Sequence, residues 1–156
     1  MPADLTQDIL NSNVITGLIR SVINPELISD TAANDNDKSI TVPSGQIWHI
    51  LWVWLNLSTS ADAGGRNMRF ALRDDSDNII YEIRASNSQV ESTTETYIWS
   101  PNFPEPDEYL AGWHTGGIPP HCYLPAGHEI RIYDASDQSP SGDDLTIRVM
   151  VNRFDI

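Results

Sequence analysis

The sequence predicts an all-β protein, an antiparallel β-sandwich of jelly-roll-like type preceded by an N-terminal arm or short helix. Three observations carry this. From Lys38 onward, apolar segments of strand length recur about every ten residues. Gly, Pro, Asn and Asp fill the intervals, and nothing after residue 38 has helical periodicity. At 156 residues and 40% hydrophobic, the chain suits one core and is too short for two of ordinary size.

Residues 1–37 differ in texture and are read as an attachment segment, with residues 38–156 as the sandwich domain. In the first of these, six acidic residues stand against Arg20 alone. Leu5, Ile9, Ile15, Leu18 and Ile19 follow three-to-four spacing, which suits an amphipathic helix ending before Asn24-Pro25. Asn11, Asn13, Thr16 and Gly17 oppose it, and β-branched residues among asparagines suit an extended arm equally well. Residues 32–37 are aperiodic and read as a linker.

Residues 38–42 form a short strand stopped by Pro43-Ser44-Gly45. Residues 46–58, the longest apolar stretch, are apolar on both faces: Ile47, Leu51, Val53, Leu55 and Leu57 on one, Trp48, Ile50, Trp52 and Trp54 on the other. A sandwich strand needs only one buried face, so the tryptophan face meets another subunit, the N-terminal segment, or more of the same chain. Residues 66–73 place Met68, Phe70 and Leu72 on one side, Asp74 to Asn78 turn the chain, and residues 79–85 return as the second strand of a hairpin. Residues 93–99 are the next strand, and a long irregular region with five prolines follows. Residues 129–134 and 145–154 complete seven to eight strands, the last with Leu145, Ile147, Val149 and Val151 alternating.

Twenty-two acidic residues face nine basic ones, eight of them arginine, for a formal charge of −13. Arginines scattered among carboxylates give no positive patch to release counterions, which argues against nucleic acid as a partner, and an anionic membrane surface repels the chain. No apolar run reaches the roughly 18–20 residues of a membrane span. The N-terminus lacks the basic start and apolar core of a signal peptide, so a soluble protein made in the cytoplasm is expected. Cys122 is the only cysteine, so no disulfide forms within the chain.

Chemistry-bearing residues are sparse. Acidic clusters at Asp35, Asp74, Asp134 and Asp143 offer oxygen ligands for calcium, but each falls where a turn is expected and none has EF-hand spacing. His114, His121, Cys122 and His128 match no zinc pattern. Cys122 beside His121 is no catalytic pair, since adjacent residues on an extended chain point apart. No metal, cofactor or catalytic residue is therefore assigned, and the protein is read as not an enzyme. Trp99, Phe103, Tyr109 and Trp113 surround the proline-rich region and either pack it onto the sandwich or present an aromatic surface to a partner.

Four segments carry a resemblance: Thr41-Val42-Pro43-Ser44-Gly45-Gln46-Ile47-Trp48, Gly65-Arg66-Asn67-Met68-Arg69-Phe70-Ala71-Leu72-Arg73-Asp74, Ser92-Thr93-Thr94-Glu95-Thr96-Tyr97-Ile98-Trp99-Ser100-Pro101, and Leu124-Pro125-Ala126-Gly127-His128-Glu129 continuing to the C-terminal strand. Together they resemble small β-sandwich virion structural proteins of tailed bacteriophages, of the capsid decoration, cement or head-fibre type. The resemblance implies a non-enzymatic particle component on the capsid surface, made in the host cytoplasm, with the major capsid protein as partner and a homotrimer as the expected assembly. Leu5, Ile9, Ile15, Leu18, Ile19, Trp52 and Trp54 are then the candidate subunit or capsid contacts. The alternative is a carbohydrate- or receptor-binding module of a head fibre or tail, with the aromatic loop as its glycan site.

Overall fold

The computed structural model describes residues 25–32, 37–101, 103, 106–136 and 142–156. Its strands are β1 (Pro25–Asp30), β2 (Lys38–Thr41), β3 (Gln46–Ser58), β4 (Met68–Arg73), β5 (Ile79–Arg84), β6 (Thr94–Ser100), β7 (Asp107–Leu110), β8 (Trp113–Gly117), β9 (Tyr123–Pro125), β10 (Glu129–Asp134) and β11 (Asp144–Asp155). One sheet runs β1-β11-β3-β6-β8-β7 with β9 also on β3, and the other runs β2-β10-β4-β5.

Eight of these strands are the two arms of one long hairpin wrapped around the core. β1 pairs with β11, β2 with β10, β3 with β6 and β4 with β5, all antiparallel. The first and third pairs lie in the larger sheet, the second and fourth in the smaller. Pairing of β11 with β3 and of β10 with β4 then joins successive turns of the wrap. This is the jelly roll that the sequence predicts.

Two boundaries differ from expectation. The sheet takes in Pro25–Asp30, which texture alone assigns to the attachment segment: β1 pairs with β11 from Pro25↔Asn152 to Asp30↔Ile147. A proline at the first position of an edge strand gives up no ladder hydrogen bond, so it permits a strand it would forbid elsewhere. Leu5, Ile9, Ile15, Leu18 and Ile19 lie outside the described residues. The proline-rich region, expected to be irregular, contributes β7, β8 and β9, and β8 runs parallel to β6.

β8 is hard to see in sequence because it reads Trp113-His114-Thr115-Gly116-Gly117, and glycine is a poor strand former. Gly116 is there for space: a Cβ on it would lie 2.5 Å from Cδ1 of Trp99. That indole fills the space left, stacked on Phe70 of the opposite sheet with centroids 5.8 Å apart.

The core between the sheets is built from alternating residues of β3, β4, β6, β10 and β11, with Val53, Leu55, Leu57, Phe70, Ile130, Ile132, Leu145, Ile147, Val149 and Val151 all fully buried. β3 departs from simple alternation at one point. Met150 pairs with Trp52 but Val151 pairs with Ile50, so Leu51 is an extra residue, a β-bulge. Trp48 and Ile50 point inward before it, and Val53, Leu55 and Leu57 after it. Trp48 therefore belongs to the core, not to the face that carries Trp52 and Trp54, which corrects the simple alternation read from sequence. The neighbour changes there too, from β9 before the bulge to β6 after it.

One end of the sandwich closes on a buried ion pair. Arg66 and Asp143, both with fully buried side chains, meet through two hydrogen bonds, Nε to Oδ2 at 2.8 Å and Nη2 to Oδ1 at 3.1 Å. Ser60 donates its backbone N–H to Asp143 at 2.7 Å, and Arg66 donates to the carbonyls of Asp62 and Gly64. Burial pushes the Asp143 carboxyl up, but the hydrogen bonds from Arg66 and Ser60 outweigh it and hold the group below its usual range. Asp143→Asn leaves Arg66 charged and buried, at a cost of about 3–5 kcal/mol, read as a lower urea midpoint. Because the folded value lies below the unfolded one, the pair's contribution is present above about pH 4 and fades as pH falls further. The variant should therefore lose less stability than the parent between about pH 5 and pH 2.

Candidate interaction surface

Both sheets of a sandwich have an outer face, and here the two differ in kind. The smaller sheet presents Arg69, Arg73, Glu82, Arg84, Glu129, Arg131 and Tyr133 outward. These interact laterally: Arg69 bonds Glu82 at 2.5 Å, Tyr133 donates to Glu82, and the Arg131 guanidinium lies 4.9 Å from the Tyr133 ring centroid. This is a charged surface on which arginines outnumber carboxylates.

The outer face of the larger sheet carries its carboxylates at the margins, with Asp144 of β11 opposite Ser58 and Asp107 of β7 opposite Thr115, and its centre is nearly free of charge. β3, β6 and β8 present Leu51, Trp52, Trp54, Asn56, Thr94, Thr96, Ile98, Ser100, Trp113 and Thr115 outward, with no Asp, Glu, Lys or Arg. Registered rows cross the sheet: Leu27, Met150 and Trp52 in one, Ser29, Arg148, Trp54, Ile98 and Thr115 in the next. Arg148 is the one basic residue at the centre, its guanidinium 4.7 Å from the Trp54 centroid. On a chain of formal charge −13, this depletion is local and pronounced.

A shallow groove of ≈ 340 Å³ runs along this face between Trp52, Trp54, Ile98, Ser100 and Phe103. A second, of ≈ 440 Å³, shares Trp52 and Ser100 with it and continues past His49, Pro101 and His121. His49 stacks on Tyr123 at 4.6 Å and faces His121 at 6.4 Å, and burial together with His121 lowers its pKa.

The four aromatic candidates of the proline-rich region separate. Trp99 is 1% exposed and belongs to the core, so it is not partner-facing. Phe103 lines the tryptophan groove. Tyr109 is 74% exposed and Trp113 45%, and with Leu110, the register partner of Trp113, they form an apolar tip on the β7–β8 hairpin. Sequence alternation around Trp99 matches that around Trp113, and only the parallel β6–β8 pairing tells the two apart.

The histidines and cysteine scatter. Among the described residues, no three of His, Cys, Asp or Glu gather as a metal site. Cys122 is buried, which pushes its thiol up to about 11 and keeps it protonated at neutral pH. Asp74 accepts hydrogen bonds from the backbone of Ser76 and Asn78 and from the Asn78 side chain, so it closes its own turn. One polar array escaped the sequence reading: His114 contacts Glu95 at 2.6 Å through Nε2 and Ser86 at 3.3 Å through Nδ1, under the Tyr97 ring at 4.6 Å. The Tyr97 hydroxyl bonds Gln89, whose amide donates to the carbonyls of Leu57 and Thr93. Ser86 and His114 line neither groove on the outer face, and this network ties β6 and β8 to the β5–β6 connection.

No protein-family model matches the chain, and no curated protein matches its sequence. Among solved structures, a protein of disulfide-linked Bacillus endospore appendage pili is 9% identical, with 86% of this chain and 88% of that one covered at a TM-score of 0.33. A chain of the infectious bursal disease virus particle is 10% identical over 84% of this chain and 31% of that one, at a TM-score of 0.38. The VP2 subviral particle of the same virus gives 9% identity, 85% and 33% coverage and a TM-score of 0.37. The chain thus spans about a third of those viral chains, and all three are distant likenesses.

The two tryptophan environments give a direct contrast. Trp99→Ala opens the core and should cost about 3–5 kcal/mol. Trp113→Ala, on the exposed hairpin, should stay within about 0.5 kcal/mol, both read from urea denaturation. A Cβ at Gly116 collides with Trp99, so Gly116→Ala should behave like the core variant, at about 1–3 kcal/mol.

Proposed function

We propose that the chain is a non-enzymatic virion structural protein, a decoration or cement protein of a tailed-bacteriophage capsid that binds the outer shell and stabilises it. The observation that carries this is the centre of the larger sheet's outer face: tryptophan, methionine and a ring-stacked arginine, with carboxylates only at its margins, on a strongly acidic chain. Depletion of charge with enrichment of aromatic residues, Met and Arg is the composition of an interface core. The resemblance of the four segments to phage virion sandwiches supports the same reading. The jelly roll by itself does not, since that architecture also serves lectins and cupins.

The mechanism is mechanical. Each Å² of apolar surface removed from water contributes about 25 cal/mol before the costs of association, so seating this face across a boundary between capsid subunits resists their separation. The carboxylates elsewhere keep the exposed surface soluble and off DNA. A homotrimer closes around a local threefold axis and places three such faces on the shell together. The partner is the major capsid protein, the location is the capsid surface after synthesis in the host cytoplasm, and no cofactor, metal, nucleic acid or membrane takes part.

A second reading has its own observation. Tyr109, Leu110 and Trp113 form an exposed apolar tip suited to stacking on a sugar ring, as in a glycan- or receptor-binding module of a head fibre or tail. The two readings separate experimentally. By light scattering the parent should have the mass of a trimer, and it should co-sediment with shells of its cognate major capsid protein. Trp52→Glu/Trp54→Glu should lose shell binding with its thermal stability kept. Shell binding that survives this change sinks the proposal, and saturable glycan binding lost on Trp113→Ala favours the second reading.

A further inference from the structure

The outer face of the smaller sheet carries four of the chain's eight arginines, and two of them are placed against each other. Arg69 of β4 and Arg84 of β5 are direct cross-strand partners on the same face. Like charges directly opposite destabilise a sheet, so the pairing calls for a compensating anion. Glu82 supplies only part of it. It bonds Nη1 of Arg69 and also receives the Tyr133 hydroxyl, while Arg84 has no acidic partner among the described residues.

The two arginines line a small cleft of ≈ 180 Å³ with Asn67, Met68 and Ala85. Its polar side chains are Arg69, Arg84 and Asn67. Nε of Arg69 is buried without an acceptor among the described residues, as is Nε of Arg73 farther along β4. Asn67 takes the Ser88 hydroxyl on its Oδ1 at 2.5 Å, which leaves the two Nδ2 donors. Asp134, the register partner of Met68, is bound to the Asn67 backbone N–H and to Ser136. The volume lies below the roughly 300 Å³ at which pockets for larger organic ligands begin. Guanidinium donors in a fixed fork are matched to oxyanions of sulfur and phosphorus.

We propose that the Arg69–Arg84 cleft is a binding site for a single tetrahedral oxyanion, sulfate or phosphate, free or as the ester group of a larger ligand. The anion bridges the two guanidinium groups, accepts from Nε of Arg69 and from Asn67, and removes the repulsion across β4 and β5. The site lies on the opposite side of the sandwich from the tryptophan face, so it remains accessible when that face is covered.

The test is calorimetric titration of the full chain, at constant low ionic strength, with inorganic sulfate, inorganic phosphate and a monosaccharide 6-sulfate. Saturable 1:1 binding of at least one probe is expected, with chloride giving none. Arg84→Gln should weaken it at least tenfold, while Arg73→Gln, on the same face but outside the cleft, should leave it unchanged. Tighter binding of the sugar sulfate than of inorganic sulfate identifies a sulfated glycan as the source, and the reverse order identifies the free ion. Sulfate also stabilises proteins by exclusion from their surfaces. A linear, unsaturable rise in melting temperature that is equal in parent and Arg84→Gln therefore overturns the site, as does the absence of binding heat for all three probes. Arg84→Gln has no ion pair to lose, so its melting temperature in chloride checks that it folds.

Discussion

The extra residue at Leu51 in β3 sets the character of both sides of the larger sheet. A regular strand buries every second side chain, and a shift of one position exchanges its two faces. β3 is apolar at almost every position from Ile47 to Leu55. Without the bulge, either Trp48 and Ile50 or Val53, Leu55 and Leu57 would face out. With it, all five are buried, and Trp52 and Trp54 are the large rings left outside. The strand lies at the centre of its sheet, bonded to β11 along one side and to β9 and β6 along the other, so this choice passes to every neighbour. Met150 and Arg148 on β11 and Ile98 on β6 share the outer face because they are in register with Trp52 and Trp54.

Around that strand the wrap of the hairpin does the rest. Long-range pairing carries most of the structure, and the ends of the wrap are secured by polar groups that apolar packing cannot place. Arg66 and Asp143 are 77 residues apart in the chain and meet through two hydrogen bonds in full burial, with the Ser60 loop drawn onto them. Such a pair contributes little net stability against an apolar replacement, yet it strongly disfavours any register in which one member is buried alone. Its role here is to fix where β11 begins relative to β4.

How much of this is legible in the sequence depends on the local signal. The β4–β5 hairpin, the alternation of β11 and the turns at Pro43 and Asp74 follow from periodicity and turn chemistry. β1 is obscured by its leading proline and its acidic residues, which are features of an edge strand and equally of a tail. β8 is obscured by Gly116, whose reason is the Trp99 ring on the neighbouring strand. The bulge has no local signature, since Leu51 looks like any apolar residue in the run, and simple alternation therefore groups Trp48 with Trp52 and Trp54. Of the candidate surface, Trp52 and Trp54 were identifiable because their face is apolar in excess of what a sandwich requires. The low charge at its centre emerges only when strands distant in sequence are laid side by side.

The most direct test of this account is hydroxyl-radical footprinting, residue by residue, on the free chain and on the chain bound to its shell. In the free chain Trp52 and Trp54 should oxidise faster than Trp48 and Trp99, and in the bound state Trp52 and Trp54 should become protected while Tyr133 on the opposite face keeps its rate. Oxidation of Trp48 as fast as Trp54 would contradict the bulge. Protection of Tyr133 with Trp52 and Trp54 unchanged would contradict the assignment of the contact face.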